Sequence, residues 1–174
     1  MTGEMLKRAA EDVLLQGLWL LSEISPGGYA RMMGAPYSAS VGKHYRHVLD
    51  HFTCLLHGLD CKRIDYDHRA RNAEIENSVD TAYATTLHLI EILRRLPARL
   101  LDQSCEVAYT VGYGEQDAVE IPTSVARELA FSISHAVHHY ALIRLLCAAQ
   151  QVSLPMEFGV APSTLKYAQA QAVR

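Results

Sequence analysis

The sequence predicts an all-α protein, a four-helix bundle with a small β-hairpin inserted before the fourth long helix. Three observations lead to this prediction. Apolar residues recur at helical spacing in four long segments of the 174-residue chain. A single stretch, residues 105–121, alternates in the manner of two paired strands. No repeat, low-complexity segment or linker divides the chain, so residues 1–174 are expected to form one helical-bundle domain.

The first two helices have recognisable start and stop signals. Residues 4–23 form the first helix, and the sequence S-P-G-G just after it is a strong helix breaker. Ser38 or Ser40 is expected to cap the second helix, because a serine hydroxyl accepts a hydrogen bond from a free backbone N–H at a helix start. The second helix is expected to run to about Gly58.

A long polar segment, D-C-K-R-I-D-Y-D-H-R-A-R-N, separates the second helix from the third. The preferred interpretation is a solvated loop with local ion pairs. The alternative is that Arg69 or Arg71 reaches a pocket and binds an anionic substrate, since long loops are often functional. The third helix is predicted over about residues 75–95, and Pro97 ends or bends it.

The hairpin and the last long helix follow. The strand-like sequences C-E-V-A-Y-T-V and A-V-E-I flank G-Y-G-E-Q-D, which is rich in turn residues. Pro122 and Thr123 are expected to open the fourth helix, which runs to about Gln151. One further short helix is expected after Pro162.

Composition and charge exclude several classes of function. The formal net charge is −3 and no stripe of lysine and arginine is present, which argues against binding to nucleic acid. The longest apolar run, around Val13 to Leu21, is interrupted by Gln16 and is too short to span a bilayer. The first ten residues show no cleavable signal pattern, so a cytoplasmic protein without a membrane partner is expected.

Histidines are concentrated on the second helix, in the stretch H-Y-R-H-V-L-D-H at residues 44–51. At about 100° per residue, His44, His47 and His51 fall in a stripe about 60° wide. The stripe borders the apolar face of this helix. For this helix alone, a polar margin is the preferred interpretation.

The fourth helix contains a second histidine group, H-x-x-x-H at His135 and His139. The two lie within about 40° of each other on the helical wheel, beside Phe131, Ile143 and Leu146. The pair is therefore expected at the centre of the apolar face. A buried polar group without a partner costs about 1–3 kcal/mol, and an i, i+4 pair presents two nitrogen ligands to one metal ion.

A third ligand from a facing helix would complete a three-histidine site with open positions for water or substrate, as catalytic metal sites have. The alternative is that each histidine is hydrogen-bonded to a backbone carbonyl or to Glu128, which lies two turns before His135. Metal binding is preferred because two histidine groups occur on separate helices. The protease motif H-E-x-x-H is absent, since position 136 is alanine.

At these residues the sequence resembles the DinB/YfiT-like family of metalloenzymes. The matching segments are S-V-G-K-H-Y-R-H-V-L-D-H at 40–51 and S-H-A-V-H-H-Y-A-L-I at 134–143. The resemblance implies a four-helix bundle whose metal is held by one histidine of the second helix and an H-x-x-x-H pair of the fourth. By this resemblance His47, the last histidine of G-x-H-x-x-H, takes the first role, and His135 and His139 take the others.

The resemblance also implies a divalent ion, nickel or zinc, and a homodimer. The expected function is a metal-dependent enzyme acting on a small molecule, as a thiol-dependent transferase or a hydrolase, with Glu128 as a candidate general base or a residue that orients a ligand imidazole. The alternative for Glu128 is a carboxylate favoured by the dipole at the helix N-terminus. The alternative is a non-catalytic metal-binding or dimerising module. Whether His44, His51 or His138 replaces or adds to the three ligands stays open.

Overall fold

The computed structural model describes residues 2–114 and 117–172. Residues 1 and 173–174, at the ends of the predicted domain, and 115–116, within the predicted hairpin, lie outside the described part. The elements, in chain order, are α1 (Thr2–Glu23), α2 (Pro26–Ala30), α3 (Val41–His57), β1 (Arg63–Asp65), α4 (Ala73–Asn77), α5 (Val79–Arg95), a 3-10 helix (Ala98–Asp102), β2 (Ser104–Thr110), β3 (Ala118–Ser124), α6 (Val125–Ala149) and α7 (Pro162–Ala172).

The four long helices α1, α3, α5 and α6 enclose the hydrophobic core. Helix α1 packs against α5 and α6, and α3 packs against the same two helices. Residues from each of them are fully buried in the core between the helices, among them Leu14, Leu49, Ala82 and Leu129. Across the described ranges, none of the helices has both the length and the apolar character needed to cross a membrane.

The prediction of an all-α fold is wrong, because three strands form a mixed sheet beside the helices. The strand order is β1-β2-β3. Strands β2 and β3 are antiparallel, with Val107 opposite Ile121, and they account for the predicted hairpin. Strand β1 pairs with β2 in parallel, with Ile64 beside Val107. The protein is therefore mostly helical with a three-stranded sheet, and the hairpin is part of that sheet.

The strand β1 escaped prediction because it is short and depends on a distant partner. Only one of its three side chains, that of Ile64, is fully buried, so the segment shows no alternation that would identify a strand. Its pairing with β2 joins residues more than forty positions apart in sequence. Tertiary contact of this kind, and not local preference, determines the strand.

Serine caps fix the helix boundaries that matter for the site. Ser40 caps α3 by accepting a hydrogen bond from the backbone N–H of Lys43 at 2.9 Å, which confirms one of the two predicted caps. Ser78 has extended backbone angles and caps α5, so the predicted third helix is in fact the two helices α4 and α5. Ser124 caps α6, which begins after Pro122 and not at it as expected, because Pro122 belongs to β3.

Candidate metal centre

Helices α3 and α6 lie side by side and bring the two histidine groups together. His47 is in the second turn of α3, whereas His135 and His139 are one turn apart on the same side of α6. The Nε2 atoms of His47 and His135 are 2.9 Å apart. The ring centre of His139 is 4.5 Å from the ring centres of both His47 and His135. The three imidazoles therefore face one point between the helices.

The geometry of this cluster fits a divalent metal ion. One ligand nitrogen from each of His47, His135 and His139 lies within 4.8 Å of the other two. Two nitrogens bound to one ion at about 2.0–2.1 Å can be at most about 4.2 Å apart, so a small contraction of the cluster suffices. Within residues 2–114 and 117–172, this is the only group of three histidine, cysteine or carboxylate side chains with such spacing.

The histidine pair lies at the margin of the buried face of α6, and not at its centre as predicted. The buried line of this helix passes through Ala136 and Tyr140, whereas His135 and His139 are half-buried. Phe131, expected to pack in the core beside them, is 43% exposed. Residues at such a margin are accessible from solvent, so an ion or a small molecule can reach them.

Burial keeps the three imidazoles neutral. It lowers the pKa of His47 to about 4, with the positive charge of Arg69 as the next cause. It lowers the pKa of His135 to about 4 and that of His139 to about 3, with neighbouring histidines as further causes. A metal ligand must be a neutral imidazole with a free lone pair, so all three are in the required form near neutral pH.

The remaining nearby histidines have other surroundings. His44 meets His139 through their Nδ1 atoms, which are 2.9 Å apart. His51 is 5% exposed and its ring centre is 4.1 Å from that of His135, while its Nδ1 has no hydrogen-bond partner among the described residues. His138 is exposed. Its ring centre is 5.4 Å from that of His139, so His138 lies on the exposed side of the cluster, whereas His44 and His51 lie on more buried sides.

Glu128 is buried, but it does not contact the cluster directly. One of its carboxylate oxygens accepts a hydrogen bond from the hydroxyl of Tyr66 at 3.0 Å, and the other from the hydroxyl of Thr123 at 2.7 Å. In the described part of the chain it makes no hydrogen bond to a histidine. The connection runs through Tyr66, whose ring stacks on that of His51 with 4.8 Å between centres. Orientation of an imidazole by Glu128 is therefore not seen.

Asp50, on the same helix as His47 and His51, forms an ion pair with an arginine. Its side chain is buried and pairs with Arg46 of the preceding helical turn at 3.3 Å. The guanidinium of Arg46 also lies 3.0 Å from Glu76. This ion-pair group joins α3 to α4 beside the histidine cluster.

A cavity of about 400 Å³ adjoins the cluster at His51. Its walls come from the loop after β1, from β2 and β3, and from the first two turns of α6. In the sequence, only the long polar segment before the third helix indicated a pocket. Tyr66, which is 4% exposed and connects the cavity wall to the histidines, was not expected to take part.

No family model and no solved structure matches this chain. Over 108 residues the chain is 31% identical to FK506-binding protein 5 of Rhizopus delemar. The shared region covers 62% of this chain and 28% of the relative, so the chain spans little more than a quarter of that protein's length. Similarity over so small a part of the relative does not assign the chain to its family.

Proposed function

We propose that this protein is a metal-dependent enzyme that acts on a small molecule, as a thiol-dependent transferase or a hydrolase. Its divalent ion, nickel or zinc, is held by His47, His135 and His139. The observation that carries the proposal is the spacing of these side chains, whose ligand nitrogens lie within 4.8 Å of one another on two separate helices. The resemblance to the DinB/YfiT-like family supports the same ligand set.

The chemistry follows from the donor set and its surroundings. An ion bound by three neutral imidazoles supplies a Lewis acid that lowers the pKa of water or of a thiol, so that a nucleophile is available near neutral pH. Glu128 is the residue we assign to proton transfer, because it is a buried carboxylate in the cavity wall. Tyr66 and Thr123 hold that carboxylate in place through their hydroxyls.

The adjoining cavity favours an enzyme over a non-catalytic module. A volume of about 400 Å³ is in the range of small-molecule sites. It meets the histidine cluster at His51, so a bound molecule would lie next to the proposed ion. The family resemblance supports a homodimer.

Metal analysis of the purified protein tests the site. We expect close to one equivalent of divalent metal in the wild type and its loss in a variant carrying His135→Ala and His139→Ala. The matched control removes two exposed histidines elsewhere, His57→Ala and His88→Ala, and should keep the metal. Equal metal content in all three proteins would exclude the site.

The enzymatic part has its own test. The metal-loaded protein should accelerate either the reaction of a small thiol with a chromogenic aryl halide or the hydrolysis of a nitrophenyl ester. We expect the double histidine variant to lose this activity and Glu128→Gln to reduce it while retaining metal. A loaded protein whose rates in both reactions equal those of the double variant would support the non-catalytic module instead.

A further inference from the structure

The cavity beside the histidine cluster combines charged, polar and apolar groups. Its charged side chains are the carboxylates of Asp67 and Glu128 and the guanidinium groups of Arg69 and Arg127, and His51 forms one end. The rest of the wall is polar or apolar and comes from the sheet, from Tyr66 and from Phe131. The apolar members are Val107, Ile121, Pro122 and Phe131.

The two carboxylates of the cavity already accept hydrogen bonds from the protein. One oxygen of Asp67 accepts from the backbone N–H of Thr110 at 2.6 Å and from its hydroxyl at 2.8 Å. Both oxygens of Glu128 accept from hydroxyls, those of Tyr66 and Thr123. These contacts fix the carboxylates in the wall.

The two guanidinium groups, in contrast, keep unused donors. Arg69 donates to the backbone carbonyl of Tyr66, but its Nε is buried and has no partner in the part of the chain that the structure describes. Neither Arg69 nor Arg127 lies within ion-pair distance of a carboxylate of the described residues. A buried donor without a partner is unfavourable, and a charged one more so. An anionic ligand in the cavity would give the guanidinium of Arg69 the counter-charge that the described residues do not supply.

We propose that the cavity binds a small organic molecule through a carboxylate or phosphate group that pairs with Arg69. Arg127, which is exposed at the edge of the cavity, adds a second guanidinium. The apolar part of the molecule packs on Val107 and Phe131. Arginine suits this role because its planar fork of donors matches the oxygens of carboxylates and phosphates.

The position of Arg69 connects this anion to the histidine cluster. Arg69 lines the same cavity as His51, whose ring centre lies 4.1 Å from that of His135. A guanidinium and a divalent cation repel each other strongly in a half-buried site. An oxyanion between them offsets this repulsion. The inference rests on the proposed function, in that the anionic molecule is the substrate of the same site.

Binding of three small probes tests the inference. Phenylacetate and phenyl phosphate carry the two kinds of oxyanion, and phenylacetamide is a neutral analogue of the first. Calorimetric titration is carried out on metal-loaded and on chelator-treated protein. We expect at least one anion to bind and the amide to bind more weakly. Arg69→Gln should weaken anion binding about 10- to 100-fold, because a charge-assisted hydrogen bond is lost.

Two further variants control this experiment. Arg99→Gln removes an exposed arginine outside the cavity and should bind the anions as the wild type does. Arg127→Gln removes an exposed cavity arginine, which does not support the core, and should weaken anion binding to a smaller extent. If the amide binds as tightly as phenylacetate, or if Arg69→Gln and Arg127→Gln both leave anion binding unchanged, the inference is wrong.

Metal content, measured on the same samples, separates this inference from the proposed function. Metal present without anion binding would overturn the anion site and leave the metal centre intact. Anion binding that depends on Arg69 in a protein that takes up no metal would support the anion site and overturn the metal centre.

Discussion

His44 and His139 face each other across α3 and α6 with their Nδ1 atoms 2.9 Å apart. One of the two nitrogens donates its N–H, and the other accepts the hydrogen bond. With the Nδ1–H of His139 as the donor, its Nε2 keeps the lone pair that an ion would bind. His44 thus holds the ring of His139 in one orientation, a task that a partner of a metal-binding histidine usually performs.

Substitution of His44 should therefore weaken metal binding without abolishing it. We expect His44→Ala to reduce metal affinity by about 10- to 100-fold, the range for loss of a group that orients a ligand. Competition with a chromophoric chelator measures the affinity. His138→Ala, which removes the exposed neighbour of His139, should leave it unchanged. Complete loss of metal in His44→Ala would identify His44 as a ligand, and unchanged affinity would show that the contact does not orient His139.

The neutral histidine cluster should make the metal-free protein sensitive to acid. The pKa values of His47 and His135 are lowered from 6.5 to about 4 in the folded state. In the unfolded state these imidazoles take up protons near their usual pKa of 6.5. Between pH 6.5 and pH 4 the unfolded state therefore binds more protons than the folded state. The stability present above pH 6.5 is thus lost progressively as the pH falls through the folded-state values near 4.

Denaturant unfolding of metal-free protein at several pH values checks this expectation. The free energy of unfolding should decrease between about pH 6.5 and pH 4 in the wild type. The double variant His135→Ala, His139→Ala should show a shallower decrease, because two of the responsible groups are gone. Identical pH dependence in the two proteins would mean that other groups cause the effect.

The hydroxyl of Tyr66 should stabilise the fold through the buried carboxylate of Glu128. Tyr66→Phe leaves one carboxylate oxygen without its donor, and we expect the free energy of unfolding to fall by about 1–3 kcal/mol. Tyr109→Phe is the control, since Tyr109 lines the same cavity but its hydroxyl makes no hydrogen bond to any described residue. Equal stability of the two variants would show that the hydrogen bond contributes nothing.

Close approach of α4 to α3 requires a glycine at position 42. A Cβ atom there would lie 2.0 Å from the backbone oxygen of Glu76 and 2.8 Å from the ring of Tyr29. Since backbone atoms cannot move aside cheaply, Gly42→Ala should lower the free energy of unfolding by about 1–3 kcal/mol. Gly27→Ala meets no atom within 4 Å and should cost little. Thermal unfolding of both variants measures these effects. A Gly42→Ala variant as stable as the wild type would contradict this packing.

Local signals in the sequence predicted the long helices well and the sheet poorly. Helical spacing and the cap at Ser40 are properties of neighbouring residues, so a single sequence contains them. The strand at Ile64 depends on pairing with β2, more than forty residues away. The break at Ser78 is local, since its hydroxyl accepts from the backbone N–H of Thr81, but one serine within a helical pattern did not indicate it. Neither leaves a periodic pattern, and the all-α prediction failed for this reason.

The residues of the candidate site could also be predicted from local signals, whereas their surroundings could not. The structure brings together His47, His135 and His139, which the sequence had singled out by spacing and resemblance. Their place at the margin of the buried face could not be read from the helical wheel, because α6 turns Ala136 and Tyr140 inward and leaves the pair half-buried. The cavity lies where the two strands of the predicted hairpin and the loop after β1 pack beside α6, an arrangement that depends on contacts between distant segments.

The helical part of the fold and the sheet thus meet at His51. The helices α3 and α6 carry the imidazoles, whereas the opposite wall of the cavity belongs to the sheet and to the loop that follows β1. Exchange of the loop or of the outer strand can therefore alter which molecules are accepted while the histidines stay where they are. Under the proposed function, sequence differences among relatives are expected to concentrate in residues 66–71 and 118–123, while the histidines of the cluster stay the same.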